Sequence, residues 1–507
     1  MLSKVKSFSL IGLKGVEIDV EVDIMNGKPQ FTVVGLPDST IKESIERVSS
    51  AISNSGFFMP QKKIVINLAP ADVRKEGSLF DLSMAVGILS SSGYLKTGTI
   101  EYAMIGELSL DGKLRPVDGM LPLLISAKEM GCAKFIIPSG NVGEASYIEG
   151  IEVFAFEDLK TVVKFLRGEI EVKPISLVEW NKEDHENIED ISRVRGQFKA
   201  KRALEIAVAG GHNIMLVGAP GCGKTMLAKC IPSILPDLTF NEALEITKIH
   251  SISGELDKTS GVVKTRPFRS PHHSASAVAL TGGGKNAKPG EISLAHNGVL
   301  FLDEMPEFSK SLLETLRQPL EDGVITVSRA NITVQYPASF MLVASMNPCP
   351  CGNYGSRDLE CKCSPTQIDK YLKKLSGPLL DRIDLKIDVD RVEYSELREV
   401  GEGEDTSEIV KERINKARAI QRERFNGSKT YTNAKMTSAQ IKEFCQIDMD
   451  TEIILKNAFD KFKLSARGYS RILKVARTIA DLDNSESILK KHLMEAISYR
   501  TIEKYEL

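Results

Sequence analysis

The chain has 507 residues, 42% of them hydrophobic, and a formal net charge of −2. This length fits roughly three domains of ordinary size, and the near-neutral charge excludes a polycation, so any nucleic-acid contact must come from local basic patches. No apolar run approaches the ~20 residues of a membrane-spanning helix, and residues 1–6 lack the apolar core of a signal peptide. We therefore expect a cytoplasmic protein with no membrane partner, whose eight cysteines are reduced or bound to metal.

Residues 1–167 carry strand and helix patterns around apolar positions of their own. Residues 16–23 alternate apolar and polar side chains, which predicts a half-exposed strand. Residues 39–53 place apolar side chains at helical spacing, and Asp111-Gly112 is a strong hairpin signal. We therefore predict a separate α+β domain over residues 1–167.

One stretch of this domain, residues 105–117 (IGELSLDGKLRPV), resembles the corresponding segment of the proteolytic domain of Lon proteases. Lon uses a Ser–Lys pair in which the lysine activates the serine nucleophile. The positions that match the family's serine and lysine hold Leu79 and Leu121 in this chain, although Ser78 is adjacent to the first. A serine without its base is not activated, so the resemblance implies a Lon-protease-like fold that serves assembly or binding rather than proteolysis.

A polar and acidic stretch at residues 168–190 is interpreted as a linker with one anchoring aromatic side chain, Trp180. A turn over residues 191–197 follows, and then an amphipathic helix. This order of turn and helix resembles the adenine-side entry of AAA+ ATPases. The resemblance implies that Val194 lies near the nucleotide base.

Residues 218–225 (GAPGCGKT) fit the phosphate-loop pattern G-x-x-x-x-G-K-[ST] in full. A buried strand pattern at residues 213–217 enters the loop, and a helix pattern leaves it, so that the positive end of the helix faces the phosphates. Lys224 supplies charge for the β- and γ-phosphates, and the Thr225 hydroxyl is placed to hold Mg²⁺. The predicted nucleotide contacts are Gly218, Ala219, Pro220, Gly221, Cys222, Gly223, Lys224 and Thr225.

A second apolar strand pattern, at residues 299–302, ends in Asp303 and Glu304. Nucleotide hydrolysis uses such a pair, because one carboxylate organises the Mg²⁺ shell and the other orients the attacking water. We assign the metal to Asp303, together with Thr225, and the water to Glu304. A third apolar strand pattern ends in Asn347, a candidate sensor of the γ-phosphate, although Asn347-Pro348 also has the composition of a simple turn.

Arg382 stands between carboxylates in the run 377–384, which leaves two interpretations open. It can form an ordinary surface ion pair. Alternatively, it is an arginine finger that stabilises transition-state charge on a γ-phosphate held by a neighbouring subunit, which requires a ring.

Four runs of residues carry a second and closer resemblance: RPFRSPHHS at 266–274, GEISLAHNG at 290–298, NPCPCG at 347–352 and SGPLLDRID at 376–384. By these runs the chain is identified as a member of the magnesium-chelatase-like AAA+ proteins of the ComM/YifB family, over essentially its whole length. The resemblance implies a homo-hexameric ATPase that uses ATP and Mg²⁺. Members of the ComM type act on DNA as branch-migration helicases in natural transformation and recombination.

The resemblance also implies a multidomain α/β organisation. Its parts are a Lon-protease-like domain at 1–167, a linker at 168–190, an AAA+ P-loop ATPase domain at 191–392 and a C-terminal helical lid at 393–507. In the lid, Arg471 matches an arginine that senses the nucleotide, here expected in the same subunit, and a structural helix arginine is the alternative. Two other functions stay open, namely a chelatase motor that drives Mg²⁺ insertion into a porphyrin and a nucleotide-gated assembly scaffold.

Two stretches are candidates for contact with branched or single-stranded DNA. Residues 248–288 form a long insert that includes Arg266, Arg269 and Lys285, whose contacts with phosphates would be electrostatic. Residues 324–334 alternate as two strands with a turn near residues 330–331, and Arg329 near the tip is the main DNA candidate. A solvated loop and a structural surface arginine are the respective alternatives.

Four of the eight cysteines form two C-x-C pairs, Cys349 with Cys351 and Cys361 with Cys363. Four thiolates can make a tetrahedral zinc site, which would be structural because it leaves no open coordination position. Reduced thiols in a loop are the alternative, since C-x-C is a less usual spacing than C-x-x-C.

Overall fold

The computed structural model of the chain describes residues 2–73, 75, 77–95, 101–181, 189–257, 261–284, 287–329, 332–356, 359–392, 405–428 and 430–500. The chain divides into two compact units. The first unit consists of Met1–Asn181 and Phe240–Lys264, and the second of Lys182–Thr239 and Thr265–Leu507. Each combines helices with a β-sheet, so the protein has the mixed, multidomain α/β fold that was predicted. In the described part of the chain, no helix has both the length and the apolar character needed to cross a membrane.

A seven-stranded sheet forms the centre of the first unit. The strands of this unit are β1 (Leu2–Ile11), β2 (Lys14–Met25), β3 (Gln30–Val34), β4 (Lys63–Ala69), β5 (Ala103–Met104), β6 (Glu107–Leu108), β7 (Leu114–Arg115), β8 (Lys134–Pro138) and β9 (Glu152–Phe156). The order in the sheet is β3-β4-β2-β1-β5-β8-β9, with antiparallel pairing from β4 to β1 and parallel pairing elsewhere. Strands β6 and β7 form a separate hairpin.

Local sequence explains several elements of the first unit. The alternating segment at 16–23 lies in β2, where Ile18, Val20 and Val22 are fully buried. The turn at Asp111-Gly112 joins β6 to β7, as the hairpin signal predicts. Leu121 is fully buried, and Leu79 packs against the apolar core. The positions that match Lon's catalytic pair are therefore packing positions in this fold.

The second unit is built on a parallel sheet. The strands of this unit are β10 (Ile214–Val217), β11 (Phe268–Arg269), β12 (Val299–Leu302), β13 (Val324–Arg329), β14 (Ile332–Pro337), β15 (Met341–Met346) and β16 (Leu385–Asp388). Five of them form the sheet β11-β12-β15-β10-β16, in which every pair is parallel. Strands β13 and β14 form the predicted antiparallel hairpin. Because all five sheet strands run the same way, the residues that follow β10, β12 and β15 meet at one edge.

The helices complete both units. Those of residues 1–181 are α1 (Ser39–Asn54), α2 (Asp81–Ser91), α3 (Met120–Glu129), α4 (Val142–Ala145) and α5 (Leu159–Leu166). The remaining helices are α6 (Phe198–Gly210), α7 (Lys224–Lys229), α8 (Ile231–Ile234), α9 (Phe240–Ser253), α10 (Ala277–Thr281), α11 (Glu291–Leu294), α12 (Lys310–Thr315), α13 (Arg317–Asp322), α14 (Pro365–Leu372), α15 (Gly377–Leu380), α16 (Ser407–Arg424), α17 (Ser438–Phe444), α18 (Met449–Lys461), α19 (Ala466–Leu482) and α20 (Lys490–Ser498). Short 3₁₀ turns lie at Ser139–Asn141, Ile191–Arg193, Met305–Glu307 and Asn433–Lys435.

The C-terminal helices pack against α6 rather than forming a compact unit of their own. Ile414 of α16 and Ile472 of α19 belong to one apolar cluster with Leu204 of α6. The side chains of Arg418 and Gln421 also donate to carbonyl oxygens at the end of α6, both at 2.9 Å. The described residues of the predicted lid are thus mainly helical, and they share their core with the parallel sheet.

Helix α9 belongs to the first unit, although it follows the phosphate loop in sequence. The ring centroid of Phe240, at its start, lies 5.7 Å from that of Trp180, so the tryptophan contacts this helix. Near its end, the Ser251 hydroxyl accepts a hydrogen bond from the Gly119 amide at 3.0 Å and donates one to Glu144 at 2.5 Å. The insert predicted at 248–288 is therefore divided between the units, and the predicted domain boundaries do not include this exchange.

Candidate nucleotide-binding site

The phosphate loop, residues 218–225, joins β10 to α7 at the carboxyl edge of the parallel sheet. Gly221 and Gly223 have φ angles of 77° and 92°, which favour glycine, and no described atom lies within 4 Å of where their side chains would begin. At Gly218, by contrast, a β-carbon would lie 2.3 Å from the Val389 carbonyl oxygen. Cys222 is buried in the apolar core, and burial raises the pKa of its thiol. The loop is therefore packed against the sheet and open on the other side.

Lys224 and Thr225 form the start of α7. The buried Lys224 ammonium donates to the carbonyl oxygens of Gly218 and Ala219 at 2.8 and 2.9 Å, and to the side-chain oxygen of Asn347 at 3.2 Å. The Thr225 hydroxyl donates to Asp303 Oδ2 at 3.0 Å. The phosphate loop is thus hydrogen-bonded to the residues that follow two other strands, Asp303 after β12 and Asn347 after β15.

The carboxylate pair follows β12 directly. Asp303 Oδ1 accepts hydrogen bonds from the Ser345 hydroxyl and from the Glu304 amide, the latter at 3.1 Å. Glu304 is exposed and has a φ of 51°, a conformation that costs energy in a residue with a side chain and recurs at functional sites. The Ser345 hydroxyl also accepts from the Glu304 amide at 3.1 Å. Ser345 therefore orients the Asp303 carboxylate and holds the backbone of Glu304, and this role was not predicted.

The turn predicted on the adenine side lies against the phosphate loop. The 3₁₀ turn Ile191–Arg193 ends at Val194, which is buried in the same apolar cluster as Cys222. The Gln197 amide group donates to the carbonyl oxygens of Asp390 at 2.6 Å and Cys222 at 3.5 Å. This proximity supports the assignment of the turn, whereas the contact of Val194 with a base stays a prediction.

Arg382 and Arg471 lie at the opposite edge of the sheet from the phosphate loop. Arg471 pairs with Asp384, whose other carboxylate oxygen accepts from the Asn213 amide at 3.0 Å, at the residue before β10 begins. Each strand residue advances the chain by about 3.3 Å, so the four residues of β10 separate the two edges by roughly 13 Å. Arg471 is therefore bonded at the edge away from the phosphate loop of its own chain, and its contact with a nucleotide stays a prediction.

The Asp384 carboxylate is the anion of a buried cluster of basic groups. Burial by itself would raise its pKa, but the charge of Arg471 and the hydrogen bonds from His212 and the Asn213 amide hold the pKa well below its usual range. Burial lowers the pKa of the neighbouring Lys474 to about 8, opposed by the attraction of Asp384. The ionised Asp384 carboxylate is therefore the counter-charge of these basic groups.

Arg382 is buried and bonded within its own chain. Its guanidinium donates to the Pro378 carbonyl oxygen at 2.6 Å and pairs with Glu321. Arg467, which is 58% exposed, pairs with the same Glu321 at 3.0 Å. The arginine-finger role of Arg382 thus stays a prediction, and it requires release from Glu321.

The DNA candidates have different surroundings. Arg266 donates to the carbonyl oxygens of Pro236, Asp237 and Asn297 at 2.7 to 3.2 Å. Arg269 forms a two-bond ion pair with Glu291, at 2.6 and 2.7 Å. Both guanidinium groups are hydrogen-bonded to partners within the second unit, so the structure gives these arginines a packing role. Lys285 lies outside the described residues, and of Arg329 only the backbone, at the end of β13, is described.

The four clustered cysteines lie between β15 and α14, and their sulfur atoms are all within 4.8 Å of one another. Cys349 is buried, and the other three are partly exposed. The C-x-C pairs that looked unusual in sequence are therefore brought together as one group of four thiols.

Two residues of the site region were missed in the sequence, Ser345 and Glu321. Ser345 occupies an apolar strand two residues before Asn347, and a polar residue at that place is the one available signal. Glu321 lies in α13, 61 positions before Arg382, and no local pattern connects the two.

A complete phosphate loop, a carboxylate pair and a polar side chain after the next strand meet at one edge of a parallel sheet. This combination defines a P-loop nucleoside triphosphatase. Family models agree with this class: residues 190–397 match "Magnesium chelatase, subunit ChlI", residues 20–141 match "Subunit ChlI of Mg-chelatase", and residues 404–500 match "Magnesium chelatase, subunit ChlI C-terminal".

Relatives that match over nearly their full length show which family within this class the chain belongs to. The chain is 45% identical to the competence protein ComM of Haemophilus influenzae over 509 residues, which cover 99% of this chain and 98% of the relative. It is 44% identical to the uncharacterized protein YifB of Escherichia coli over 508 residues, with the same coverage. A 185-residue stretch is 29% identical to Lon protease 2 of Bacillus subtilis and covers 33% of each chain. The chain belongs to the magnesium-chelatase-like AAA+ family that includes ComM and YifB.

Proposed function

We propose that this chain is an ATP-hydrolysing motor that works as a homo-hexameric ring and remodels DNA. The observation that carries the first part is the convergence of Lys224, Thr225, Asp303 and Asn347 within hydrogen-bond distance at one sheet edge. Lys224 binds the phosphates, Asn347 positions Lys224, and Glu304 orients the attacking water as general base. The backbone amides around Gly221 and Gly223 supply further donors for phosphate oxygens.

The donor set at this edge fits Mg²⁺. The Thr225 hydroxyl and the Asp303 carboxylate are hard oxygen donors, they lie 3.0 Å apart, and Mg²⁺ takes few protein ligands when it also binds phosphates. When bound, the ion would neutralise charge on the phosphates. Ser345 keeps the Asp303 carboxylate turned toward Thr225 by its own hydrogen bond.

In the proposed ring, Arg382 and Arg471 act on the nucleotide site of a neighbouring subunit. Arg382 and Arg471 lie at the edge of the sheet away from the phosphate loop of the same chain. We assign both to the nucleotide site of a neighbouring subunit, where they would stabilise charge on the γ-phosphate. The arginine cluster and the phosphate loop would then form the two halves of one intersubunit site.

Mixing two inactive variants tests this arrangement. Lys224→Ala removes the phosphate contact, and Arg471→Ala removes the proposed contribution to the neighbour. A mixed ring contains interfaces in which an intact Lys224 faces an intact Arg471, so we expect ATP hydrolysis to recover to about a quarter of the wild-type rate, since a site in the transition state needs both groups. If the mixture stays as inactive as its components, the arginine does not act between subunits.

The DNA step is supported by the full-length similarity to a competence protein and by the hairpin β13–β14, which ends near Arg329. The direct test is branch migration of a four-way junction with ATP, together with the stimulation of ATP hydrolysis by the same junction. We expect Arg329→Ala to reduce both, while Arg422→Ala, an exposed arginine of α16, serves as the matched control. Because phosphate contacts are electrostatic, junction binding should weaken steeply as salt rises. Equal branch migration by wild type and Arg329→Ala would remove the hairpin assignment.

A chelatase motor is the second candidate, because three family models of a magnesium-chelatase subunit match the chain. Such a motor would hydrolyse ATP through the same residues but would respond to partner subunits and not to DNA. Junction-stimulated ATP hydrolysis therefore favours the DNA motor, and its absence favours the chelatase motor.

A further inference from the structure

The cysteine cluster, formed by Cys349, Cys351, Cys361 and Cys363, has nearly the dimensions of a single tetrahedral metal site. The sulfurs of Cys349 and Cys351 are 3.4 Å apart, and each is 3.7 Å from the sulfur of Cys361. The Cys363 sulfur is within 4.8 Å of the other three. A Zn–S bond of about 2.3 Å with tetrahedral angles separates two sulfurs by about 3.8 Å. The thiols are therefore spaced as they would be around one ion.

Disulfide bonding does not explain this spacing. An S–S bond of about 2.05 Å would bring one pair of sulfurs far closer than the others, whereas the three distances given above are almost equal and all four cysteines are free. The Tyr354 amide also donates to the Cys349 sulfur at 3.3 Å, a hydrogen bond that favours a thiolate ligand. Four thiolates around one centre select zinc over hard cations such as Mg²⁺.

We propose that the cysteine cluster binds one structural Zn²⁺, and that this ion braces the phosphate loop. The site is closed, because four protein ligands fill a tetrahedral shell, so the ion has no position for a substrate. The metal site stands independently of the proposed function, whereas the brace rests on the proposed nucleotide site.

The first link to the nucleotide site runs through Asn347. Its side chain accepts a hydrogen bond from Lys224 at 3.2 Å. Cys349 follows Asn347 by two residues, and Cys363 directly precedes Ser364, the N-cap of α14. A metal ion held by both cysteines therefore ties the strand end that carries Asn347 to the start of α14.

The second link is a direct contact with the phosphate loop. Gly352, between the first two and the last two cysteines, has a φ of 82° and lies against Pro220. A β-carbon on Gly352 would be 2.3 Å from Pro220 Cδ, so the two loops touch with no space between them. Holding the cysteine loop in place therefore limits how far the phosphate loop can move outward.

Metal content tests the site directly. The full-length chain, purified without a metal-binding tag, is analysed for zinc and iron by inductively coupled plasma mass spectrometry. We expect about one zinc per chain in the wild type and in Cys132→Ser, whose thiol lies outside the cluster, and at least a tenfold loss in Cys361→Ser. Chain produced with cobalt in place of zinc should show the intense visible absorption of a tetrahedral cobalt–thiolate site, which does not depend on any variant folding. Wild-type protein with no metal, or with iron instead of zinc, overturns the proposal.

Gly352→Ala tests the brace without removing a ligand. We expect this variant to keep its zinc but to bind a fluorescent ATP analogue about tenfold more weakly, because the new methyl group displaces Pro220 and ten-fold corresponds to about 1.4 kcal/mol. Gly427→Ala is the matched control, since Gly427 has a φ of 78° and no described atom within 4 Å of a β-carbon. Unchanged binding by Gly352→Ala overturns the brace. Absence of nucleotide binding by the wild type would overturn the proposed function as well, whereas the zinc content decides the metal site alone.

Discussion

Replacing Asp384 by alanine should destabilise the second unit strongly. The Asp384 side chain is 4% exposed, pairs with Arg471, and lies 3.5 Å from His212. Its loss leaves the Arg471 charge without a counter-charge and the Asn213 amide without its carboxylate acceptor. Removing one partner of a buried ion pair costs about 3–5 kcal/mol. We therefore expect the free energy of unfolding of the second unit to fall by about that amount.

Urea unfolding followed by far-UV circular dichroism measures this change, because α6 and the helices α16 to α20 contain most of the described helical residues of the second unit. Trp180 belongs to the first unit, so its fluorescence provides an internal control. Asp369→Ala is the matched variant, since Asp369 is 57% exposed and its pair with Lys373 is worth less than about 0.5 kcal/mol.

A double variant separates the charge effect from general damage. Asp384→Ala with Arg471→Leu leaves no unpaired guanidinium, so we expect it to be more stable than Asp384→Ala alone. The reasoning is refuted if Asp384→Ala unfolds within about 1 kcal/mol of the Asp369→Ala control, which is the range of an exposed pair. It is also refuted if the two substitutions in the double variant simply add.

Three further predictions concern the site and its surroundings. Ser345→Ala should lower the turnover number for ATP about tenfold with little change in nucleotide affinity, because the hydrogen bond that orients Asp303 is worth about 1.5 kcal/mol. Turnover and equilibrium-binding measurements test this prediction, and an equal loss of affinity would contradict it. Thr225→Ala should raise the Mg²⁺ concentration needed for half-maximal hydrolysis at least about tenfold, and an unchanged Mg²⁺ titration would remove Thr225 from the metal site. Lys474, whose pKa burial lowers to about 8 from an unfolded value of about 10.4, binds fewer protons when folded. Between these two pKa values stability from Lys474 rises with pH, so the wild type should gain stability relative to Lys474→Met from pH 7 to pH 10 in denaturant titrations; a constant difference would show that Lys474 titrates normally.

The nucleotide side of the site is predictable because its motifs are local. The phosphate loop needs glycines, a lysine and a threonine at fixed spacing after a strand, and each requirement is visible in residues 213–226. Asp303, Glu304 and Asn347 likewise follow apolar strand patterns directly. Because the strands of the sheet are parallel, their carboxyl ends, and the residues that follow them, lie at the same edge.

The positions of the arginines and the division of the chain into two units could not be predicted from local motifs. Where Arg471 lies depends on Asp384, 87 positions away, and on the packing of α19 against α6. Arg266 and Arg269 looked like a basic patch in the sequence, but their partners are carbonyl oxygens and a carboxylate. No local sequence pattern indicates these partners. Such long-range pairing is set by tertiary structure, which local composition does not encode.

The assignment of helix α9 to the first unit could not be predicted from local sequence either. This helix follows the phosphate loop in sequence, yet it contacts Trp180 and Glu144 of the first unit. The polar hydroxyl of Ser251 that makes one of these contacts has no distinguishing sequence context. A boundary read from composition therefore misses a segment that crosses between units.

The most direct test of the account is ATP binding and turnover by Glu304→Gln. Glutamine keeps the size of the side chain but cannot act as a general base, so ATP should still bind while turnover falls by about 100-fold or more. Glu307→Gln, an exposed carboxylate three residues further along that pairs with Lys374, should hydrolyse ATP like the wild type. Hydrolysis by Glu304→Gln at the wild-type rate would contradict the assignment of the water-orienting residue. Binding without turnover in the wild type itself would contradict the motor and favour a nucleotide-gated scaffold.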